Sequence, residues 1–482
     1  MKHKCGVFGV YGKGLDVSRL SYFGLFSLQH RGQESSGIAV SDGKSIKSHK
    51  GRGLVAQAFD EEAIKSLSGH IAVGHNRYST SLGTGLEHAQ PIIINDLGRS
   101  RTSGGVLALA HNGNLPSVAA LTDVLKRAGI RTDGKSDSEL MADALVHFMK
   151  EGASLEEAVR KAFPLFTGSF SLLVMDRTTF VAVRDECGIK PLSVGKLSAS
   201  GGDSGYVISS ETCAFSTIGA SFVKDVLPGE MVVFDEKGMR SSLLTLSSKQ
   251  KLDVFEFIYF SRPDSVLLGK SVYEVRRNCG RELAKEAEVI ADVVVPVPET
   301  SIPGAIGYSQ QSKIPFEMGI VKNRYIHRTF IEPDEKLRHQ GAKLKLTPLP
   351  AVLKGKRVIV VDDSVVRGTT TRNLIAAIFE AGAREVHLVI TSPPVCYPDF
   401  YGIDTPDQTQ LLAFTKNVDE IREFLGVTSL HFLSYRGLIT GIGVPEEQLC
   451  TSCLTGVYPI DLRERKKEVA PACIKVLPHS VG

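Results

Sequence analysis

The stretch RVIVVDDSVVRGTTT, Arg357–Thr371, constrains this chain more than any other. Arg357–Val361 is a β-branched apolar run, the pattern of a strand covered on both faces in a parallel sheet. Two carboxylates, Asp362 and Asp363, end the run. A short loop with Ser364, Arg367 and Gly368 leads into Thr369, Thr370 and Thr371. A helical pattern follows from about Arg372 to Glu380 and stops near Gly382. Strand, acidic pair, Gly/Thr turn and helix start predict an anion site at the carboxyl end of a parallel sheet. Backbone N–H groups and threonine hydroxyls suit a phosphate monoester. The carboxylates suit ribose hydroxyls or a hard cation such as Mg²⁺. A plain helix cap would explain DDS, but not the whole order of parts.

A second strand of the same kind, VVVPVPET (Val293–Thr300), lies roughly sixty residues upstream. Pro303, Gly304 and a helical pattern to about Ser312 follow it. Between the two strands, Lys322–Leu346 is rich in Lys and Arg and carries Pro333 and Gly341, which predicts a solvated, flexible loop. A chain of 482 residues has room for two to four domains. Its net charge of +4 makes no case for nucleic acid. No apolar run reaches ~18 residues, so no membrane helix is expected, and Lys2 and Lys4 precede no apolar signal core. Eight cysteines, scattered except for Cys450 and Cys453, predict reduced thiols in a cytoplasmic protein.

The first half presents a different constellation. A lone cysteine such as Cys5, in KCGVFGVYG, is ordinarily a small core residue. Here four further blocks follow it: LQHRGQESSGIAV (Leu28–Val40), GHNRYST (Gly74–Thr80), AHNGNL (Ala110–Leu115) and SDSEL (Ser136–Leu140). Helical patterns are expected at Val17–Leu28, Ser138–Lys150 and Leu155–Ala162, and strands at Ser169–Met175, Phe180–Arg184 and Tyr206–Ser209. Gly/Ser-rich Leu197–Gly205 is expected as an exposed loop.

VIVVDDSVVRGTTT closely resembles the phosphoribosyl pyrophosphate (PRPP) loop of type I phosphoribosyltransferases. The blocks of the first half resemble the N-terminal-nucleophile, or class II, glutamine amidotransferase domain. In that order they are similar to the amidophosphoribosyltransferase family over nearly the whole chain. The resemblance implies an α/β (α+β) protein in two domains. Residues 5–250 form an Ntn-hydrolase αββα sandwich, behind a propeptide 1–4 whose removal makes Cys5 N-terminal. Residues 251–482 form a type I phosphoribosyltransferase domain with a parallel sheet and a C-terminal extension.

The implied roles are specific. Cys5 is the nucleophile and its freed α-amino group, with a reference pKa near ~8, is the base. Asn112 and the Gly113 N–H hold the oxyanion. Arg31, Gly32, Arg77, Thr80 and Asp137 bind glutamine, with Arg77 matching the carboxylate of a zwitterion and Asp137 its amine. Tyr78 is a gate. Histidines 30, 70, 75, 88 and 111 are left to packing and support. Asp362, Asp363, Ser364, Arg367, Gly368, Thr369 and Thr370 bind PRPP, together with Arg328 and Lys345 from a flap that closes over it. Lys322, Arg338 and Lys343 are further cations suited to the departing pyrophosphate. Mg²⁺ is expected at Thr300, Asp362 and Asp363.

Many members of the family carry an iron–sulfur cluster on four cysteines. Two of those positions are Cys450 and Cys453; the other two fall at Asp253 and Asp399. That leaves three readings: no cluster, a cluster with carboxylate ligands, or a zinc-like Cys₂Asp₂ site. The resemblance implies glutamine and PRPP as substrates, purine nucleotides as inhibitors, a homo-oligomer (tetramer or dimer), and no nucleic-acid or membrane partner. The implied activity is the committing step of purine synthesis, with ammonia channelled from Cys5 to PRPP. The rivals are another class II amidotransferase, such as a hexosamine-forming one, and a PRPP- or nucleotide-sensing regulator with degenerate catalysis.

Overall fold

The computed structural model describes residues 5–78, 85–95, 105–198, 204–246, 249–323, 346–402 and 407–472. The chain divides into two compact units. The first holds Met1–Asp253 with two short returns, Asp399–Asp404 and Tyr458–Lys466. The second holds Val254–Pro398, Thr405–Val457 and Lys467–Gly482.

In the first unit, β1 (Gly6–Tyr11) lies antiparallel between β4 (Ile71–Arg77) and the strand Ser204–Ser209. β2 (Ser35–Ser41) extends this sheet beside β4, and β3 (Ile46–Arg52) follows β2. The long strand Gly105–Ser117 pairs with Thr167–Met175, and that strand with Phe180–Arg184. Alternate residues of these strands enter different cores, because period-two side chains face opposite sides. Val7 and Tyr11 join Ala108, Ala110, Leu173 and Met175 in a core between two strand layers. Phe8 and Val10 instead meet Leu25 and Leu28 under the helix Val17–Ser27. Leu107, Leu109, Leu172 and Val174 meet Met141 and Leu145 of the helix Asp137–Lys150. Three cores therefore separate four layers, αββα, as expected. Leu107–Ala110 and Leu172–Met175 read as unbroken apolar runs because both faces are covered.

Capping fixes the helices. Ser136 with Glu139, and Ser154 with Glu157, form capping boxes at the starts of Asp137–Lys150 and Leu155–Ala162. The predicted loop Leu197–Gly205 is corrected in part. Ser193–Ser198 and Ser204–Ser209 pair as far as Ser198↔Ser204, since strand pairing satisfies the backbone whatever the Gly/Ser content.

In the second unit, four parallel strands lie in the order Val293–Pro296, Arg357–Asp362, Glu385–Ile390, Ser429–Phe432. Arg357–Asp362 is an interior strand with Val358–Val361 fully buried, as its β-branched run predicts. The helix after it begins at Thr369 rather than Arg372, running to Glu380. Gly368, at φ +74°, makes the left-handed turn into it and leaves the threonines free to form its first turn. Among the described residues no helix is long and apolar enough to cross a membrane.

Candidate functional site

In the first unit, strand register brings scattered blocks to Cys5. Cys5 immediately precedes β1, where Gly6 lies opposite Asn76, so Arg77 ends β4 beside it. Arg77 is only 4% exposed, which rules out a surface arginine, and its Nη1 stands 3.9 Å from Glu34 Oε2. The turn Gln29–Arg31 follows the first helix and aims Arg31 inward: its Nε donates to the Cys5 carbonyl at 3.0 Å. Gly32 lies against β4 so closely that a Cβ there would stand 2.6 Å from the Asn76 carbonyl carbon. No larger residue fits without moving Arg77.

Asn112 and Gly113 lie opposite Ser171 and Phe170 in a strand pair of the second layer. Asn112 is buried, and among the described residues its Nδ2 has no hydrogen-bond partner. A buried amide without an acceptor is costly, which suits a donor kept for a transient oxyanion. Gly113 has φ +156°, and a Cβ would meet the Ser169 carbonyl oxygen at 2.0 Å. Asp137 is the first helical residue behind the Ser136 cap; its Oδ2 accepts from Leu115 N at 3.1 Å and its Oδ1 from Ser138 N at 2.7 Å. Tyr78 is half-buried. Thr80 lies outside the described residues.

Electrostatics decide which group can act as base. Burial pushes the Cys5 thiol up to about 12, against the pull of Arg77 and then Arg31. At neutral pH that leaves a thiolate fraction on the order of 10⁻⁵, so the thiol needs a base at hand. Burial drives His75 down to about 3, and His111 is lowered by burial despite Asp137 nearby. His75 Nε2 lies 3.1 Å from the His111 carbonyl oxygen, and His111 Nδ1 lies 2.9 Å from Ser138 Oγ. Both rings are neutral packing groups within hydrogen-bonded structure, which favours the α-amino group of a processed Cys5 as base. His30 stands 2.7 Å from Glu211 Oε1.

Sequence reasoning missed several members of this neighbourhood. Gln90 Oε1 accepts from His111 N at 2.7 Å, one residue before Asn112. Glu211 binds Arg31. Residues 400 and 401 reach the same strand pair, with Asn114 Nδ2 donating to the Phe400 carbonyl at 2.7 Å and Ser169 Oγ to that of Tyr401 at 2.5 Å. No motif marks these contacts, because each joins residues distant in sequence.

In the second unit, Asp362 and Asp363 lie at the carboxyl end of the interior strand. Asp362 Oδ1 accepts from Asp363 N at 2.9 Å and from Ser301 Oγ at 3.2 Å. Asp363 Oδ1 accepts from Ser364 Oγ at 2.8 Å. Burial and the Asp363 charge raise Asp362 well above the usual carboxylate range, although the Asp363 N–H and the Ser301 hydroxyl oppose this. Two carboxylates in this state suit a divalent cation or a pair of ribose hydroxyls. Arg367, Thr369 and Thr370 are exposed, whereas Thr371 is buried in the helix. The open hydroxyls and the N-terminal N–H groups lie where the sequence predicts a phosphate cradle.

Thr300 sits in the turn after Val293–Pro296, next to the Ser301 that touches Asp362. Tyr259, unmarked in the sequence, is raised by burial and by the Asp363 and Asp362 charges, which places its phenol within their field. Lys322 Nζ stands 3.5 Å from Glu299 Oε2. Arg328, Arg338, Lys343 and Lys345 lie outside the described residues.

The four residues at the cluster positions fit a thiolate-bound cluster poorly. Asp253 Oδ2 accepts from Lys190 Nζ at 2.8 Å, with both side chains almost fully buried. Asp399 Oδ1 accepts from Tyr401 N at 2.8 Å. In the second unit, Cys450 Sγ lies 3.4 Å from Ser452 Oγ, and the Cys453 carbonyl accepts from Cys396 N and Tyr397 N. Among the described residues no group of three or more His, Cys, Asp or Glu is gathered to hold a metal ion. The Lys190 ammonium against Asp253 weighs against a second metal site on Asp253, Asp399, Cys450 and Cys453.

The glutamine amidotransferase domain family matches residues 77–217, and the phosphoribosyl transferase domain family matches residues 271–393. The amidophosphoribosyltransferase of Synechococcus elongatus is 46% identical over 463 residues, covering 96% of this chain and 92% of that protein. That of Bacillus subtilis is 42% identical over 485 residues, covering 99% and 97%. The solved glutamine PRPP amidotransferase from B. subtilis, complexed with ADP and GMP, superposes with a TM-score of 0.86 at 41% identity, covering 95% of this chain and 98% of that one.

Proposed function

The chain belongs to the amidophosphoribosyltransferase family, and from that premise we propose how its two centres divide the first step of purine biosynthesis. The reaction is glutamine, PRPP and water giving 5-phosphoribosylamine, pyrophosphate and glutamate. Once residues 1–4 are removed, the α-amine of Cys5 takes the thiol proton as sulfur attacks the glutamine amide carbon. Asn112 Nδ2 and the Gly113 N–H receive the oxyanion. Collapse returns the proton to the departing nitrogen and releases ammonia; water then hydrolyses the γ-glutamyl thioester to glutamate. Arg77 and Asp137 hold the two charged ends of glutamine.

Ammonia then attacks C1 of PRPP in the second unit and pyrophosphate leaves. Asp362 and Asp363 hold the ribose, and with Thr300 they offer hard oxygen ligands to Mg²⁺, which supplies charge neutralisation when bound. The turn 364–370 holds the 5′-phosphate. Free ammonia would be protonated and lost in bulk water, so its transfer is sheltered. The flap, with Arg328 and Lys345, closes over PRPP, and Tyr78 couples closure to glutamine use. Purine nucleotides occupy the same phosphate cradle as inhibitors; the B. subtilis relative was solved with ADP and GMP. We assign the protein to the cytoplasm, as a homo-oligomer.

The observation that carries this reading is the Asn112 amide, without a partner among the described residues, in the unit that holds Cys5 and Arg77, on a chain that also carries the Asp362–Thr370 turn. A hexosamine-forming enzyme has no use for that turn, and a degenerate regulator has no use for a buried oxyanion donor. PRPP-dependent glutaminase activity is the test: glutamine hydrolysis that ignores PRPP would dismiss the coupled mechanism. We also propose that the chain works without an iron–sulfur cluster, on the strength of the Lys190–Asp253 pair. Iron and sulfide measured on active, anaerobically purified protein should be far below one cluster per chain. Stoichiometric iron would reverse this.

A further inference from the structure

Glu211 is fully buried just after the strand Ser204–Ser209, and the glutaminase chemistry above makes no use of it. Its Oε1 accepts from Arg31 Nη1 at 2.5 Å and lies 2.7 Å from His30 Nε2. Its Oε2 lies 3.8 Å from the Cys213 thiol. Arg31, itself 1% exposed, uses Nε to hold the Cys5 carbonyl at 3.0 Å. The residue before Glu211 grips the same strand: Ser210 N donates to the Val7 carbonyl, and Ser210 Oγ accepts from Val7 N, each at 3.0 Å. Residues 210–211 thus hold the start of β1 directly at Val7 and, through Arg31, at Cys5.

We propose that Glu211 is a positioning residue for the Cys5 nucleophile. After maturation Cys5 has no preceding peptide. Its carbonyl and the ladder that starts at Gly6 are then its main tethers. Thiol and α-amine belong to the same residue, so fixing that carbonyl limits the torsions that set both. A buried guanidinium holds a carbonyl in place only if its own charge is compensated, and Glu211 supplies that charge. It also keeps Arg31 directed at the Cys5 main chain, leaving Arg77 as the cation for the glutamine carboxylate.

This inference rests on Cys5 being the glutaminase nucleophile, and the experiment separates the two claims. Glu211→Gln keeps the shape and removes the charge; Glu211→Asp keeps the charge at shorter reach. Glutamine-dependent and ammonia-dependent synthesis are measured for both beside Cys5→Ala, with the mature N-terminus checked by mass spectrometry. The expected result for Glu211→Gln is a loss of at least tenfold in glutamine-dependent kcat. Ammonia-dependent synthesis should stay within twofold, with the N-terminus correctly processed and Glu211→Asp between the variant and the parent. Glutamine use within twofold of the parent overturns the proposal. So does an equal loss with both nitrogen sources, or a loss traced to an unprocessed N-terminus. If Cys5→Ala itself retains glutamine use, the nucleophile assignment fails first and takes the proposal with it.

Discussion

In the first unit the charged groups that act on Cys5 come from separate segments, among them the turn at Arg31, the end of β4 at Arg77 and the helix start at Asp137, and the candidate oxyanion donor Asn112 comes from an inner strand. In the second unit one stretch of fifteen residues, Arg357–Thr371, carries the strand, the acidic pair, the turn and the helix start together. The first centre is therefore a product of strand register; the second is a local motif set on a sheet. Their electrostatics also run in opposite senses. Around Cys5, two arginines work against the desolvation of a thiol, whereas Asp362 suffers burial and a like charge at once. Burial keeps the Cys5 thiol protonated at neutral pH. The Asp362–Asp363 pair needs a cation or hydroxyl donors before it is comfortable.

Cys5→Ala tests that division most severely. Glutamine-dependent synthesis should fall by roughly 10³-fold or more, with ammonia-dependent synthesis preserved. Parallel loss of both would merge the two centres into one. Asn112→Ala should cost about 10²–10³ in glutaminase kcat with little change in KM, the signature of a donor used in the transition state. A change confined to KM would make Asn112 a ground-state contact instead.

The pH response sharpens the contrast further. His75 is held near 3 against an ordinary 6.5, so the unfolded chain takes up its proton first as pH falls. The stability from keeping it neutral is complete above about 6.5 and is lost between there and 3. By pH 5 the loss is about 2 kcal/mol. Denaturant unfolding at pH 7 and pH 5 should show it, and His75→Gln should flatten the slope; an unchanged slope would mean His75 is not buried neutral. Asp362 has the reverse sign, since its folded pKa is raised and its charged form is the costly one. Asp362→Asn should raise the ligand-free melting temperature at pH 7.5 by a few degrees, about 1 kcal/mol, while impairing synthesis with either nitrogen source. A fall in melting temperature would show that the carboxylate's hydrogen bonds outweigh its repulsion.

The cysteine and aspartate positions show where motif logic stops. Cys450 and Cys453 form a metal-like pair in the sequence, and Asp253 and Asp399 are plausible hard ligands. Lys190 carries no motif, yet its ammonium gives the buried Asp253 carboxylate a counter-ion. Likewise, Leu197–Gly205 has loop composition, but hairpin pairing draws its ends into strands. The helix after the acidic pair starts three residues earlier than its apolar pattern, because Gly368 rather than side-chain periodicity sets the turn.

The sequence by itself determined the β-branched strand at Arg357, the acidic pair and turn that follow it, and the helical patterns at Ser138–Lys150 and Leu155–Ala162. All of these are interactions between residues a few positions apart, where geometry follows from residue type. It also supplied Cys5, Arg77, Asn112 and Asp137, as members of blocks. Only the tertiary structure brought Arg77 and Asp137 to one thiol, left the Asn112 amide without a partner among the described residues, and set Glu211 behind Arg31. Those facts depend on which strands pair and in what register. That choice is made by burying three cores at once, a property of the whole unit that no local stretch of it contains.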